Sequence, residues 1–551
     1  MNTNNDSSHA ASTSADTAEE VTHPSFPVAT EEDAPLPFHL PKRRKTTALI
    51  SAAISGNFDS VKALAHTVPV NHTDEFEDTA LMNIAAITPC SDAHVDIAKY
   101  LLHVGAQVDM RNNKGNTSLI FAASRWNARI GAILIQAGAN VDASNSEGLT
   151  ALIYLSVIAR EDNQEPVLLF ANALVGAKAD LNVRTTDLGY TALTEACRNR
   201  CSYLAMFLIS SGANVDIANH RGETALFLTS DENVVQAIID AKGNLNHRRY
   251  SLLCEDTALI VAIFEGYVGI AIRLIDAGAD VNIQGLSSET ALYVATRYGH
   301  ETIVQSLLAT GLIDVNRLEG EHDSSSLMMA SWKGYEAITR HLLAAHADVN
   351  IADLDGNTAL IQACAHGYEV IAQELIASGA VVNAANNEGY TALIVAINAC
   401  DNQITKLLLV AGADINQVNV LTQSPLHVAI LNDCSSIVAR LLMEGADDTL
   451  VTALYEEDEI EMTPFEMAVA LERPYAVEDA WEAMKGRMSD SKVDTILHAA
   501  MVVVTSPHHI EEETFMTAFL TQVPDGVIMM STVMSFFLGD VVPRFFDSAA
   551  E

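Results

Sequence analysis

The sequence predicts an all-α solenoid of about 13 to 14 stacked helix-turn-helix units with projecting turns. Three observations carry that reading. A tripeptide of the Thr-Ala-Leu type recurs, starting at Thr47, Thr79, Thr117, Thr150, Thr191, Thr224, Thr257, Thr290, Ser325, Thr358, Thr391, Ser424 and Thr463, and seven of its twelve steps equal 33 residues. A Gly-Ala-Asp-Val-Asn type segment begins at Gly105, Gly138, Gly212, Gly278, Gly379 and Gly412, with weaker copies at Gly176, Gly311 and Gly445. Its glycine falls 21 residues after the threonine in well-kept copies such as Thr257 to Gly278. Between the two marks, apolar residues return at helical spacing.

Each element of a unit follows from its residues, and the tenth unit serves as the example. Thr358 is placed to cap a first helix, because its hydroxyl accepts from an otherwise unpaired backbone N–H. Ala359, Ala363 and Ala365 are small enough for close helix approach, and Gly367 breaks that helix. Ile371, Leu375 and Ile376 then mark a second helix, which Gly379 ends in the left-handed conformation. Residues Asn383 to Tyr390 form a polar turn. No unit can bury its apolar stripe alone, so units must stack. Longer steps locate insertions at Pro89 to Asp92, at Glu161 to Pro166, and in the acidic turn holding Glu456, Glu457, Asp458, Glu459 and Glu461. The sixth unit is three residues short before Asn246 and three long after it, in His247-Arg248-Arg249-Tyr250.

The pattern resembles the ankyrin repeat, whose period is 33 and whose mark is T-P-L-H-x-A. Its nearest copy here is Ser424-Pro425-Leu426-His427-Val428-Ala429, and Gly299-His300, Gly334-Tyr335 and Gly367-Tyr368 match the link between helices. The resemblance covers about four fifths of the chain and implies an array over 45–482 with projecting β-turn fingers. Residues 1–44 read as a disordered acidic, Ser/Thr-rich tail ending in a basic run. Residues 483–551 read as a degenerate fourteenth unit around Thr495 and a helical cap.

Charge and composition narrow the function. The chain carries 31 Lys+Arg against 71 Asp+Glu, a formal charge of −40. Duplex binding needs cations that displace counterions, so direct nucleic-acid binding is not expected. Neither is a polybasic grip on anionic membrane. The first 41 residues hold seven acids and no Lys or Arg, unlike a secretory signal, and the longest apolar stretch, Val527 to Leu538, is too short to span a bilayer. Of seven cysteines, Cys197 and Cys201 share a helix face; half of a metal site is the sharp reading, and two free thiols in a reduced interior the plain one. The cysteine pattern suits cytosol or nucleus.

No catalytic signature is present: the phosphate-binding, dinucleotide, zinc-protease, hydrolase-elbow and kinase motifs are all missing. The expectation is a non-enzyme with no cofactor, no metal and no small-molecule substrate. His508-His509 before Glu511, Glu512 and Glu513 lacks a recognised ligand spacing and reads as a solvated loop. The run Lys42-Arg43-Arg44-Lys45 resembles a nuclear import signal, or is a solvated charge run; the expected location is cytoplasm or nucleus.

The family resemblance implies that exposed first-helix positions, seven and eight residues after the threonine, line a concave partner-binding face with the turn tips. Those positions hold Arg125, Arg198, Phe264, Arg297, Tyr298, Trp332, Lys333 and His366, and the position before the threonine holds Tyr190 and Tyr390. Arg248, Arg249 and Tyr250 in the extended turn are further candidates. Aromatic and arginine side chains are enriched at binding hot spots. The leading expectation is a protein–protein interaction scaffold or adaptor. The alternative is a substrate-recruiting ubiquitin-ligase subunit, since Val523 to Ile528 followed by Val533 and Phe536 to Leu538 resembles the start of an F-box.

Overall fold

The structure is a computed structural model that describes residues 47–249, 255–285 and 288–453, together with 461, 462, 464 and 467. The terminal tail with Lys42, Arg43, Arg44 and Lys45 lies outside the described residues. So do Tyr250, the fourteenth unit and cap, the His508 cluster and the F-box-like segment. The described residues form an all-α repeat solenoid of 24 helices in twelve pairs. The chain divides into two blocks, 1–294 and 295–551. Within each block the helices form two layers: first helices pack on first helices of the neighbouring units, and second helices on second helices.

Local chemistry explains each pair. The threonine hydroxyl accepts from the backbone N–H three residues on, as Thr47 does from Ile50 at 3.3 Å and Thr391 from Ile394 at 3.3 Å. At Ser424 the cap is reciprocal. The Ser424 N–H donates to Nδ1 of buried His427 at 3.2 Å, while the His427 N–H donates back to the serine Oγ at 3.4 Å. That is why a histidine belongs at the fourth place of the motif. The leucine of every tripeptide from Leu49 to Leu426 is at most 5% exposed, so this one position builds the seam between units.

The two polar residues after the glycine do different work. Asp348 Oδ1 accepts from the Asn350 N–H at 2.9 Å and so folds its own turn. Asn350 Oδ1 instead accepts from the Val381 N–H of the next unit at 2.7 Å. Asn383 repeats this toward Asp414 at 2.7 Å and Asn416 toward Asp447 at 2.8 Å. In the first block Asp109, Asp142, Asn182 and Asp216 reach Asn140, Asp180, Asn214 and Asn244 in the same way. The place before Ala347 is His346, at φ +63°, and in the next unit it is Gly379, at φ +94°, the left-handed turn that lets the chain leave the second helix. Finger backbones also pair: Asn387 N–H donates to Asp355 O at 2.8 Å, and Val420 N–H to Glu388 O at 3.0 Å.

The two insertions within the described residues and the short sixth unit appear where the spacing puts them, while Glu456, Glu457, Asp458 and Glu459 of the acidic turn lie outside the described residues. The second unit lengthens the link between Ala80–Ala85 and Asp92–His103. The fourth inserts a 3-10 turn, Glu161–Asn163, before Gln164–Gly176. The short sixth unit loses its residues from the first helix, which is only Ala225–Leu228. The acidic extension is flanked by two-residue strands, Thr452–Ala453 antiparallel to Glu461–Met462, the only named strands among the described residues. No helix among the described residues is long and apolar enough to cross a membrane.

Candidate partner-binding surface

The second block carries a stripe of aromatic and cationic side chains at the ends of its first helices. The helices Ser326–Lys333 and Ala359–Ala365 end at or just before the places predicted to face a partner. Tyr298 is 40% exposed, Lys333 and His366 are exposed, and Arg297 and Trp332 are half-buried. The Arg297 guanidinium lies 5.2 Å from the Tyr298 ring centroid, and Lys333 Nζ lies 4.0 Å from the Trp332 ring. Such cation–π contacts hold the charge against the ring face while leaving its outer side to solvent. Partial burial, and then the neighbouring Arg297 charge, hold the Lys333 ammonium below the ordinary lysine value.

The stripe also takes in residues that mark the helix links in the sequence. His300 stacks on Tyr298 with ring centroids 6.4 Å apart. His366 meets the Trp332 edge at 6.2 Å and stacks on Tyr368 at 6.2 Å. Tyr335 and Tyr368 start the second helices Glu336–Ala344 and Glu369–Ala377, each lying over the preceding unit's link glycine. A Cβ on Gly334 would sit 2.5 Å from the Tyr368 ring. The signal was available: Gly-Tyr recurs one period apart, so each tyrosine lands on the previous glycine. Gly334→Ala is therefore expected to cost about 2 kcal/mol, from the left-handed backbone and the displaced ring. Gly367→Ala, with Asp401 Oδ2 as its nearest contact at 3.7 Å, should cost about half of that. Hydrogen exchange of the helix Glu369–Ala377 is the measurement that separates the two.

Other predicted residues fall elsewhere. Tyr190 is corrected to a buried position, 4% exposed, because the next finger covers the place before the threonine. It lies under Arg198, 5.1 Å from the guanidinium carbon, and Arg198 is paired at 2.9 Å with Glu195. Burial raises the Glu195 carboxyl above its usual range, with Arg198 opposing. Arg249 is also buried, at 8% exposure, between two acids of successive fingers. Arg248 is half-buried and pairs with Glu255 at 3.0 Å. Phe264, half-buried, ends the helix Ala258–Phe264 in the first block. Arg125 is half-buried there as well. Tyr390 is half-buried within a finger, where burial raises its phenol.

Cys197 and Cys201 are free and buried, as the plain reading of that pair has it. Cys400 and Cys434 are joined by a disulfide, whereas Cys90, Cys197, Cys201 and Cys364 are free among the described residues. No group of three or more His, Cys, Asp or Glu side chains suited to a metal ion occurs among the described residues.

Comparison with known proteins agrees with the repeat geometry. A family model described as ankyrin repeats (three copies) matches residues 32–112, 84–169, 228–319 and 327–419. A model of the single ankyrin repeat matches 188–220. Among similar proteins, the ankyrin repeat and KH domain-containing protein mask-1 of Caenorhabditis elegans is 29% identical over 315 residues, 56% of this chain and 10% of the relative. Alpha-latroinsectotoxin-Lt1a of Latrodectus tredecimguttatus is 33% identical over 101 residues, 18% of this chain and 7% of that protein. Neurogenic locus notch homolog protein 1 of Mus musculus is 34% identical over 182 residues, 33% of this chain and 6% of that protein. The chain thus spans a small part of the length of each of these relatives. Ankyrin repeats are protein–protein interaction modules and are generally non-enzymatic. With the family models matching more than half of its length, and with twelve helix pairs joined by polar fingers among the described residues, the chain belongs to the ankyrin-repeat family.

Proposed function

We propose that this chain is a non-enzymatic scaffold or adaptor that holds partner proteins along the helix-end stripe of units eight to ten. The carrying observation is the run Arg297, Tyr298, Trp332, Lys333 and His366, aromatic and cationic in a chain of net charge −40. Rigid aromatic rings lose little side-chain entropy on binding, and arginine and lysine beside them pair with acids. A partner segment of mixed charge with exposed apolar residues fits this surface. Affinity then comes from shallow contacts spread over several units.

Capture of partners from the native cell, with intact and stripe-mutant chains compared, tests the reading. Trp332→Ala is expected to weaken binding by about 2 kcal/mol or more, as a hot-spot aromatic would. Helix content should stay unchanged. Trp126→Ala, at a 39% exposed link position in the first block, should bind as the wild type does. If Trp332→Ala and Tyr298→Ala hold every captured partner at wild-type affinity, the stripe is not the site. We further propose a cytoplasmic protein that enters the nucleus through Lys42 to Lys45; a tagged chain with all four changed to Ala would then stay in the cytoplasm. A wild-type chain never seen in the nucleus ends that proposal.

A further inference from the structure

We propose that Cys400 and Cys434 are a reversible redox modification site that staples the eleventh unit to the twelfth. The two cysteines share a place in the repeat register, away from the partner stripe of units eight to ten. In this array the residue in the helix link of one unit faces the N-cap of the next unit's second helix: Gly299 meets Tyr335, Gly334 meets Tyr368, and Gly367 meets Asp401. Cys400 and Cys434 occupy this pair of places one unit further on, with Cα atoms 5.6 Å apart and a sequence separation of 34. That separation suits a disulfide without backbone movement.

The choice of residue is informative. Cys400 sits at φ +51°, where the three preceding units have glycine at +73°, +78° and +76°. Glycine takes this conformation at no steric cost, and cysteine does not. Non-glycine residues hold the same link place in other units, Trp126, Arg200 and Asp433 at φ +44°, +56° and +56°, and what sets Cys400 apart is the cysteine facing it. The other described thiols are in no disulfide, and Cys90 is half-buried. Cys197, Cys201 and Cys364 are buried, and burial pushes the Cys364 thiol up to about 12. Cys400 is exposed and Cys434 is 6% exposed, so a reagent reaches Cys400 first.

The co-reactant is a low-molecular-weight disulfide of the glutathione class. The Cys400 thiolate attacks one of its sulfurs, the reagent's S–S bond breaks, and one reagent thiolate leaves. The Cys434 thiolate then attacks the Cys400 sulfur and expels the second. Two protons leave the cysteines, and their two electrons reduce one reagent disulfide to two thiols. A reduced excess runs the same steps backwards. With the bridge closed, the helices Ser435–Glu444 and Asn402–Val410 cannot part; with it open, the twelfth unit unfolds locally without the eleventh.

The test uses the full chain, native, in buffers spanning reduced to oxidised glutathione, with acid quench, alkylation, peptide mapping and hydrogen exchange. The expected result is a Cys400–Cys434 linked peptide at the oxidising end that disappears at the reducing end without denaturant. On reduction, exchange in Pro425–Leu431 and Ser435–Glu444 should rise at least about tenfold. Cys400→Gly, which restores the neighbours' residue and so keeps the backbone unstrained, should show fast exchange in both buffers; Cys364→Ser should respond like the wild type. Four results overturn the proposal: both thiols alkylated at every ratio, a mixed disulfide on Cys400 without the linked peptide, a bridge that survives full reduction of the folded chain, or exchange that ignores the bridge.

Discussion

Leu360→Asp is expected to unfold the tenth unit together with its two neighbours. Leu360 is 1% exposed in the helix Ala359–Ala365, which packs against the first helices of the ninth and eleventh units. The substitution removes a buried leucine, worth roughly 2–5 kcal/mol by truncation alone. It also places a carboxylate in a buried apolar seam, and an unpaired buried charge costs several kcal/mol more. An acid near a helix N-terminus regains at most about 1 kcal/mol from the helix dipole, so the losses win. A total of at least about 4 kcal/mol exceeds what one unit contributes in an array held by neighbour contacts. Hydrogen exchange should therefore accelerate in units nine to eleven and stay near wild type in the first block. Leu360→Met, which keeps the volume, should cost less than about 1.5 kcal/mol. Uniform loss of protection from residue 47 onward would show that the array unfolds as one body and would contradict the nearest-neighbour account.

The position of Leu360 was legible because the period fixes it: each Thr-Ala-Leu puts its leucine in the same seam, and chemistry at that seam does not vary between units. The same holds for the Thr caps and the short sixth unit, whose missing residues come out of one helix. What varies from finger to finger was not legible. The place before the threonine holds Asp78, Asn116, Tyr190, Glu223 and Asp256, all buried by the adjoining fingers, so Tyr190 could not be read as exposed from its own unit. The family's surface rule treats that place as part of the binding face, and the next finger covers it here. The Cys400–Cys434 pair was hidden for a related reason: its separation of 34 is close to one period and far from the short spacings that mark metal sites. Pairing residues one period apart along the sequence would have found it, along with the Gly334–Tyr368 contact.

Arg249→Ala should destabilise the junction of the sixth and seventh units by about 3–5 kcal/mol, the range for removing one partner of a buried ion pair. Fingers without an arginine at this place close the same gap with an amide. Asn112 Nδ2 donates to Asp78 Oδ1 at 2.8 Å, Asn145 Nδ2 to Asn116 Oδ1 at 3.0 Å, and Asn386 Nδ2 to Asn357 Oδ1 at 3.0 Å. In each, an amide on one finger satisfies the last polar residue of the finger before. Arg249 holds the amide's place, since its N–H donates to Asp256 O at 3.1 Å just as Asn219 does to Glu223 O at 2.9 Å. Its longer fork reaches both acids, with Nη1 3.7 Å from Glu223 Oε1 and Nη2 3.7 Å from Asp256 Oδ2. Those distances are long for hydrogen bonds, so the attraction is chiefly coulombic. It matters because Glu223 is 5% exposed and Asp256 3% exposed, where water screens little. An exposed pair would contribute at most about 1 kcal/mol, and a loss that small would place the arginine in effective contact with solvent. Neutralising the acids in the Arg249→Ala background, with Glu223→Gln and Asp256→Asn, should recover at least half of the loss, because the cost of the single variant lies in two stranded carboxylates more than in the missing contacts. A triple variant no more stable than Arg249→Ala would assign the loss instead to the arginine's packing against Phe227, whose ring centroid lies 6.0 Å from its guanidinium carbon.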